Sequence, residues 1–141
     1  MYHWIVRRRV RSLWKRVGAG DYEAAVALAS EQLSFRFIGD TPISATFVGR
    51  ERFRRWFMEL FDLFPGLRLT IIDVASSGWP WRTTVAVRLS IAAQLADGSA
   101  YRNEATQWVG LRWGRMVSDV VLEDTAALER ACAIQRPGSI H

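Results

Sequence analysis

Downstream of residue 66 the chain has β character almost to its end. Four segments, 67–76, 82–95, 101–113 and 115–123, are rich in Val, Ile, Leu, Thr and Trp, and only "SGWPW", "ADGS" and "WG" separate them. Connections this short join strands as hairpins, because a parallel neighbour needs a crossover of about a dozen residues or more. The spacing predicts an antiparallel meander of four long strands. Such a sheet has an apolar face to bury, and the first half of the chain must supply the cover.

That half is mainly helical. Val6, Val10, Leu13, Trp14 and Val17 recur at helical spacing with Arg8, Arg9, Arg11, Lys15 and Arg16 opposite, predicting an amphipathic helix over about 3–17 that "GAG" ends. Asp21 is placed to cap a shorter helix running to about Ser30 through an alanine-rich stretch. In "LSFRFI", Leu33, Phe35 and Phe37 point one way and Arg36 the other, the period of a strand with one buried face. "GDTPIS" over 39–44 is turn chemistry. After Gly49, Phe53, Phe57, Leu60 and Phe64 form the stripe of a third helix, flanked by Trp56 and Phe61 and stopped by Pro65 and Gly66. A last helix begins near Asp124 or Thr125, and "QRPGSIH" reads as a flexible tail. The order predicts an α+β fold, with helices on one face of a curved sheet, in a single domain over 1–134 followed by a tail over 135–141.

Composition narrows the function classes. Half of the residues are apolar, yet no run approaches the ~18–20 needed to cross a bilayer, so no membrane partner is expected. "RRRVR" at 7–11 is followed by neither an apolar signal core nor a cleavage site, and the expected location is the cytoplasm. The single cysteine, Cys132, can form no internal disulfide. The net charge of +5 comes from arginines spread along the chain, unlike the concentrated patch of a nucleic-acid footprint, so no nucleic-acid partner is expected. "RRRVR" itself reads as a solvated helix face.

The histidines, His3 and His141, lie one near each end, which argues against Ser-His-Asp or Cys-His catalysis; His3 reads as a packed or solvent-tipped residue and not as a base. Cys and His do not cluster, so no metal is expected. "GAGDYE" follows no strand and is too poor in glycine for a phosphate loop, so no cofactor is expected. What remains for proton transfer is a carboxylate or tyrosine in apolar surroundings, where a carboxyl shifts toward neutrality.

The segments "GDYEAAVAL", "LSFRF" and "GRERFRRWF", with the meander ending "WGRMV" and then "EDT", resemble the nuclear transport factor 2-like superfamily. Within it they are similar to the SnoaL-like polyketide cyclase and ketosteroid isomerase branch, over about residues 5–130. The resemblance implies a cone-shaped domain whose strongly curved, mostly antiparallel sheet wraps around the helices and leaves an apolar pocket. It also implies a small apolar molecule as ligand and a homodimer. It specifies fold better than activity, since the superfamily includes isomerases, dehydratases, epoxide hydrolases, cyclases and proteins with no reaction.

The three working positions of the ketosteroid isomerases align with Leu13, Phe37 and Gln107, so none is matched, and the last-strand aspartate of the cyclases aligns with Val121. Asp119, two residues away on the same strand, is the candidate acid or base, and Gln107 the candidate donor to a substrate carbonyl or oxyanion. Two registers of the last hairpin are open. A two-residue turn at "WG" puts Met116, Ser118, Val120 and Leu122 on the face of Val109 and Leu111; a turn one residue longer puts Val117, Asp119, Val121 and Glu123 there. The resemblance favours the second.

Asp40, just past the first strand, is either a base at the cavity mouth or turn punctuation, and Asn103 is a further polar anchor. Phe35, Phe37, Trp56, Phe57, Phe61, Val109 and Val121 are expected to line the pocket. Trp79 and Trp81 flank Pro80 in a turn, and Trp108, opposite the face of Val109, falls on an outer surface suited to a twofold partner. The expected activity is cofactor-independent acid-base chemistry on an apolar carbonyl compound by an isomerase, cyclase, dehydratase or hydrolase. The alternative is a non-catalytic protein of the same fold that binds a lipophilic ligand or dimerises.

Overall fold

A computed structural model describes residues 1–136. In chain order the elements are α1 (Tyr2–Gly18), α2 (Glu23–Leu28), β1 (Ala29–Phe37), β2 (Ala45–Val48), α3 (Arg50–Leu63), β3 (Arg68–Trp79), β4 (Arg82–Gln94), β5 (Ala100–Arg112), β6 (Arg115–Glu123) and α4 (Thr125–Gln135). The strands form one curved, unclosed sheet in the order β2-β1-β6-β5-β4-β3, and the expected meander is its larger part. All neighbours pair antiparallel except β1 and β6, which run parallel. The long detour through the whole meander supplies the crossover that a parallel pair requires.

The inner face is apolar because alternation carries through: Val85, Val87, Leu89 and Ile91 on β4 are buried, as are Tyr101, Ala105, Val109 and Leu111 on β5. Helices cover it. The densest packing is aromatic, with Phe35 stacked on Phe47 at 4.8 Å and tilted against Trp56 at 4.7 Å and Phe53 at 5.4 Å. Phe47 belongs to β2, a strand absent from the sequence reading. Four residues are too few to display a period, but pairing with β1 gives Phe47 its place opposite Phe35.

Two further boundaries differ from expectation. Asp21 does not cap α2: its carboxylate instead accepts from Arg16 Nε at 2.9 Å, and the helix starts after Tyr22 without a side-chain cap. The same helix ends at Leu28 because Ala29, fully buried, already pairs with Met116 of β6. At the other end of the chain Asp124 does cap α4, accepting from Ala126 N at 3.1 Å and Ala127 N at 3.2 Å. Gln135, expected to open the tail over 135–141, instead closes that helix and donates to Leu63 O at 2.9 Å, and Arg136 still donates from its backbone N to Cys132 O at 2.9 Å; the rest of the expected tail, 137–141 with His141, lies outside the described residues. Among the described residues no helix is long and apolar enough to cross a membrane.

α1 lies along the edge strand β3 and is held at both ends. His3 Nε2 donates to Gly78 O at 3.0 Å while Nδ1 accepts from Ser76 Oγ at 2.8 Å, and the Tyr2 hydroxyl bonds Thr83 Oγ1. At the C-terminal end Gly18 comes so near the strand that a Cβ there would sit 2.3 Å from Leu69 O. Alanine normally favours a helix over glycine by about 1 kcal/mol, but a backbone oxygen at that distance cannot step aside. Gly18→Ala is therefore expected to destabilise the protein by about 1–2 kcal/mol and lower its melting midpoint by roughly 3–8 °C. A midpoint equal to or above wild type in a thermal melt would show that α1 does not depend on this approach.

Candidate active site

The last hairpin sets the site. Arg112 pairs with Arg115 across a two-residue turn, Trp113 and Gly114, with φ of 49° and 79°. Positive φ at both central residues matches the twist of the flanking strands. A tryptophan rarely adopts it, and here Trp113 N donates to Pro80 O at 2.7 Å, tying this tip to the β3–β4 tip. Leu111 then faces Met116 and Gly110 faces Ser118, leaving Val117 as an extra residue on β6. This is a β-bulge, and it re-aims the remainder of the strand.

Met116 is buried beside Leu111, as the short turn demands; beyond the bulge Asp119, Val121 and Glu123 are buried opposite Val109, Gln107 and Ala105. The two registers treated as alternatives thus occupy successive parts of one strand. The longer turn is incorrect, because the additional residue sits inside β6.

Asp119 is 1% exposed and Gln107 4% exposed. They are diagonal neighbours across β5 and β6, and Gln107 Nε2 donates to Asp119 Oδ1 at 2.9 Å. That bond favours the ionised carboxyl, but loss of hydration outweighs it and pushes Asp119 up to about 7. Gln107 Oε1, also buried, meets no donor among the described residues.

The space around the pair is divided. One cavity of about 50 Å³ is bounded by Phe35, Phe37, Trp56 and Val121, and a second of about 40 Å³ by Val85, Val87, Val109 and Phe53. Asp119, Gln107, Trp14 and Phe57 border both, so the polar pair stands at the partition. The second cavity shares Val10, Leu13, Leu28 and Leu111 with a groove of about 570 Å³ between α1, α2 and the β5–β6 tip. Each inner chamber is far smaller than the ~300–1,000 Å³ of a ligand pocket. The apolar pocket implied by the resemblance is, in this structure, two small chambers behind a groove.

The other expected residues divide. Phe35, Phe37, Trp56, Phe57 and Val121 line the first chamber, and Val109 lines only the second. Trp56 is fixed by its indole N–H on Ile43 O at 2.8 Å. Phe61 lines neither chamber; it is half-buried and stacks on Tyr22 at 5.8 Å. Asp40 is exposed and borders neither chamber, beside a turn that Thr41 and Ser44 close by mutual hydrogen bonds, so the structure does not bring it to the cavity. Asn103 also lies off the chamber wall, its amide donating to the Tyr101 hydroxyl at 2.7 Å and to Asp124 O at 3.0 Å.

Sequence reasoning did not single out Glu123 and Tyr101, although both line the first chamber. Glu123 shares the period of Asp119 and Val121, so its inward direction was legible while its importance was not. Burial, with a contribution from Asp124, pushes Glu123 up to about 8, and burial with Glu123 nearby raises the Tyr101 phenol. Burial also pushes the Cys132 thiol up to about 11, which keeps it un-ionised and poorly nucleophilic at neutral pH. The arrangement thus offers two carboxyls titrating near neutrality on one wall of an apolar chamber.

No curated protein matches the chain closely in sequence. Among solved structures, Bal32a from a soil-derived mobile gene cassette is similar at 19% identity, with a TM-score of 0.76 over 89% of this chain and 94% of that one. TerC, co-crystallised with polyporic acid, is similar at 13% identity, with a TM-score of 0.75 over 90% and 96% of the two chains. IdmH of Streptomyces antibioticus, a proposed polyketide cyclase, is similar at 19% identity, with a TM-score of 0.68 over 85% and 91%. At such identities the likeness is one of fold. The sequence itself carries the family: residues 10–119, from the middle of α1 to the buried aspartate, match the SnoaL-like domain, and the chain belongs to that family.

Proposed function

We propose that the protein is a small-molecule enzyme of the cyclase or isomerase kind, with Asp119 as its proton-transferring group and an apolar carbonyl compound as substrate. The observation that carries this reading is a carboxyl fully removed from water, held by one amide and pushed to about 7. A group titrating there takes and returns protons equally well at neutral pH. Ionised Asp119 removes a proton from carbon beside the carbonyl, Gln107 keeps the carboxylate aimed, and the protonated acid returns the proton elsewhere. Glu123, neutral up to about 8, is suited to donate to the carbonyl oxygen. Membership of the SnoaL-like family, and the polyporic acid bound by TerC, are in keeping with a small organic substrate.

The small chambers require the substrate to open them. The groove between α1 and α2 is the natural entrance, since Leu13 and Leu28 separate it from the second chamber and both are only half-buried. The closed chambers equally suit the second reading, a non-catalytic binder. Native mass spectrometry of purified protein supplies the ligand, and turnover decides between the two. Asp119→Asn is expected to lower turnover of that compound by about 10²–10⁴-fold; turnover unchanged in the variant would remove Asp119 from the mechanism.

Stability offers an independent check. Asp119 titrates at 3.8 in the unfolded reference and about 7 when folded, and Glu123 at 4.5 and about 8. Between those limits the folded protein keeps protons that the unfolded chain releases. Their contribution is therefore complete below the unfolded values and is lost as pH rises through the folded ones. The stability of Asp119→Asn relative to wild type should rise by up to about 4 kcal/mol from pH 4 to above pH 8 in denaturant titrations. A difference that stays flat with pH would mean that Asp119 is not desolvated in solution.

We also propose a homodimer formed through the outer sheet face. Trp108 is 58% exposed there, beside Val120 on the neighbouring strand, and Leu122 shares the face. Trp108→Glu should shift the light-scattering mass from dimer to monomer; a wild-type mass already monomeric would end the proposal.

A further inference from the structure

Four of the seven tryptophans stand at one end of the molecule. Trp79 and Trp81 on the β3–β4 tip stack at 5.8 Å, and Trp113 on the β5–β6 tip leans on Trp81 at 6.2 Å. Trp4 comes from the start of α1, which His3 ties to Ser76 and Gly78 beside the same tip. All four are more than half exposed, Trp113 by 73%. The turn does not call for a tryptophan at 113. Its φ of 49° suits asparagine or glycine, and its bond to Pro80 O is made by the backbone.

Charge sorts the same way. α1 carries six Lys and Arg, the tips add Arg82, Arg112 and Arg115, and none of the chain's 14 acidic residues lies in α1, 77–83 or 110–116. Of these cations Arg16 alone is in an ion pair among the described residues, with Asp21. Arg112 and Arg115 even face each other across their turn, an arrangement that opposes folding unless an anion lies over both.

We infer that this end of the protein docks on an anionic lipid bilayer, with Trp4, Trp79, Trp81 and Trp113 at headgroup depth and the surrounding arginines over lipid phosphates. Tryptophan favours that depth because its ring is apolar while its N–H stays wet. The groove between α1, α2 and the β5–β6 tip is lined by Ile5, Pro80 and Trp113 of the same surface, so its mouth opens on the lipid. An apolar compound dissolved in the bilayer then meets the groove without crossing water. That use rests on the groove being the entrance to the Asp119 chambers; the docking itself does not. A second copy is a poorer occupant, since a twofold contact sets the same arginines against one another. Single-stranded nucleic acid needs open ring faces ranged along a groove, whereas Trp79 and Trp81 are stacked on each other at a hairpin tip.

The test is co-sedimentation of the full chain with vesicles of phosphatidylcholine alone and of equal parts phosphatidylcholine and phosphatidylglycerol. Strong binding is expected only to the mixed vesicles, falling as salt is added. Trp81→Ser combined with Trp113→Asn, which tolerates the positive φ, should lower partition by about tenfold or more. Arg82→Gln with Arg112→Gln should lower it by about fivefold per arginine. The two pairs remove different chemistry, so if one fails to fold the other decides. Arg102→Gln with Arg130→Gln, exposed positions at the far end of β5 and on α4, removes the same charge and should change partition by less than about twofold. Wild-type protein left in solution by the mixed vesicles, equal partition onto both kinds, or a control pair as damaging as the tip pair would each overturn the inference and leave the Asp119 reading untouched. Tighter binding to a single-stranded oligonucleotide, lost in the tip variants, would give the surface to nucleic acid. A light-scattering mass that halves in the tryptophan variant would give it to a second copy, and either result overturns the docking.

Discussion

A single surplus residue in β6 governs what this fold can do. The Trp113–Gly114 turn pins the hairpin with Leu111 beside Met116, and strict alternation from there would turn Asp119 outward into water. The bulge at Val117 changes the parity of the strand. The chemistry of the interior depends on that change: Asp119 and Glu123 enter it, and Ser118 is left over Gly110, where a Cβ would lie 2.4 Å from its hydroxyl oxygen. Glycine at 110 and the bulge opposite it form one device.

Placing a carboxyl behind the sheet opposes folding, and the protein limits the penalty in two ways. One is the Gln107 hydrogen bond; the other is the option of holding a proton, which burial makes available near neutrality. Neither a cation nor a second donor completes the pair among the described residues. A buried salt bridge would have fixed Asp119 as a permanent anion; desolvation without one leaves it able to change state, as proton transfer requires.

The elements that sequence made visible are those with enough length to show a period. α1, α3 and the meander lie close to where alternation and turn residues put them, and the resemblance quoted from their segments led to the right family. The errors fall where local signals compete with tertiary ones. Asp21 has the chemistry of a cap but Arg16 offers a charged partner five residues back. β2 is too short to declare itself and exists because Phe35 needs Phe47. Asp40 and Asn103 are polar residues near the right places, yet one faces water and the other serves Tyr101.

Local chemistry by itself determined the α+β order, the antiparallel meander and an interior holding Phe35, Phe37, Trp56 and Phe57, because period and turn composition are properties of neighbouring residues; the resemblance to the family added an acid two residues from the family position. Only the tertiary structure decided that Asp119 faces inward, that Gln107 holds it, and that the hollow is two chambers behind a groove. Those outcomes depend on pairing between β1, β5 and β6 and on helices brought from far along the chain. A one-residue shift in pairing inverts every side chain beyond it, and nothing in the strand's own composition records where that shift occurs.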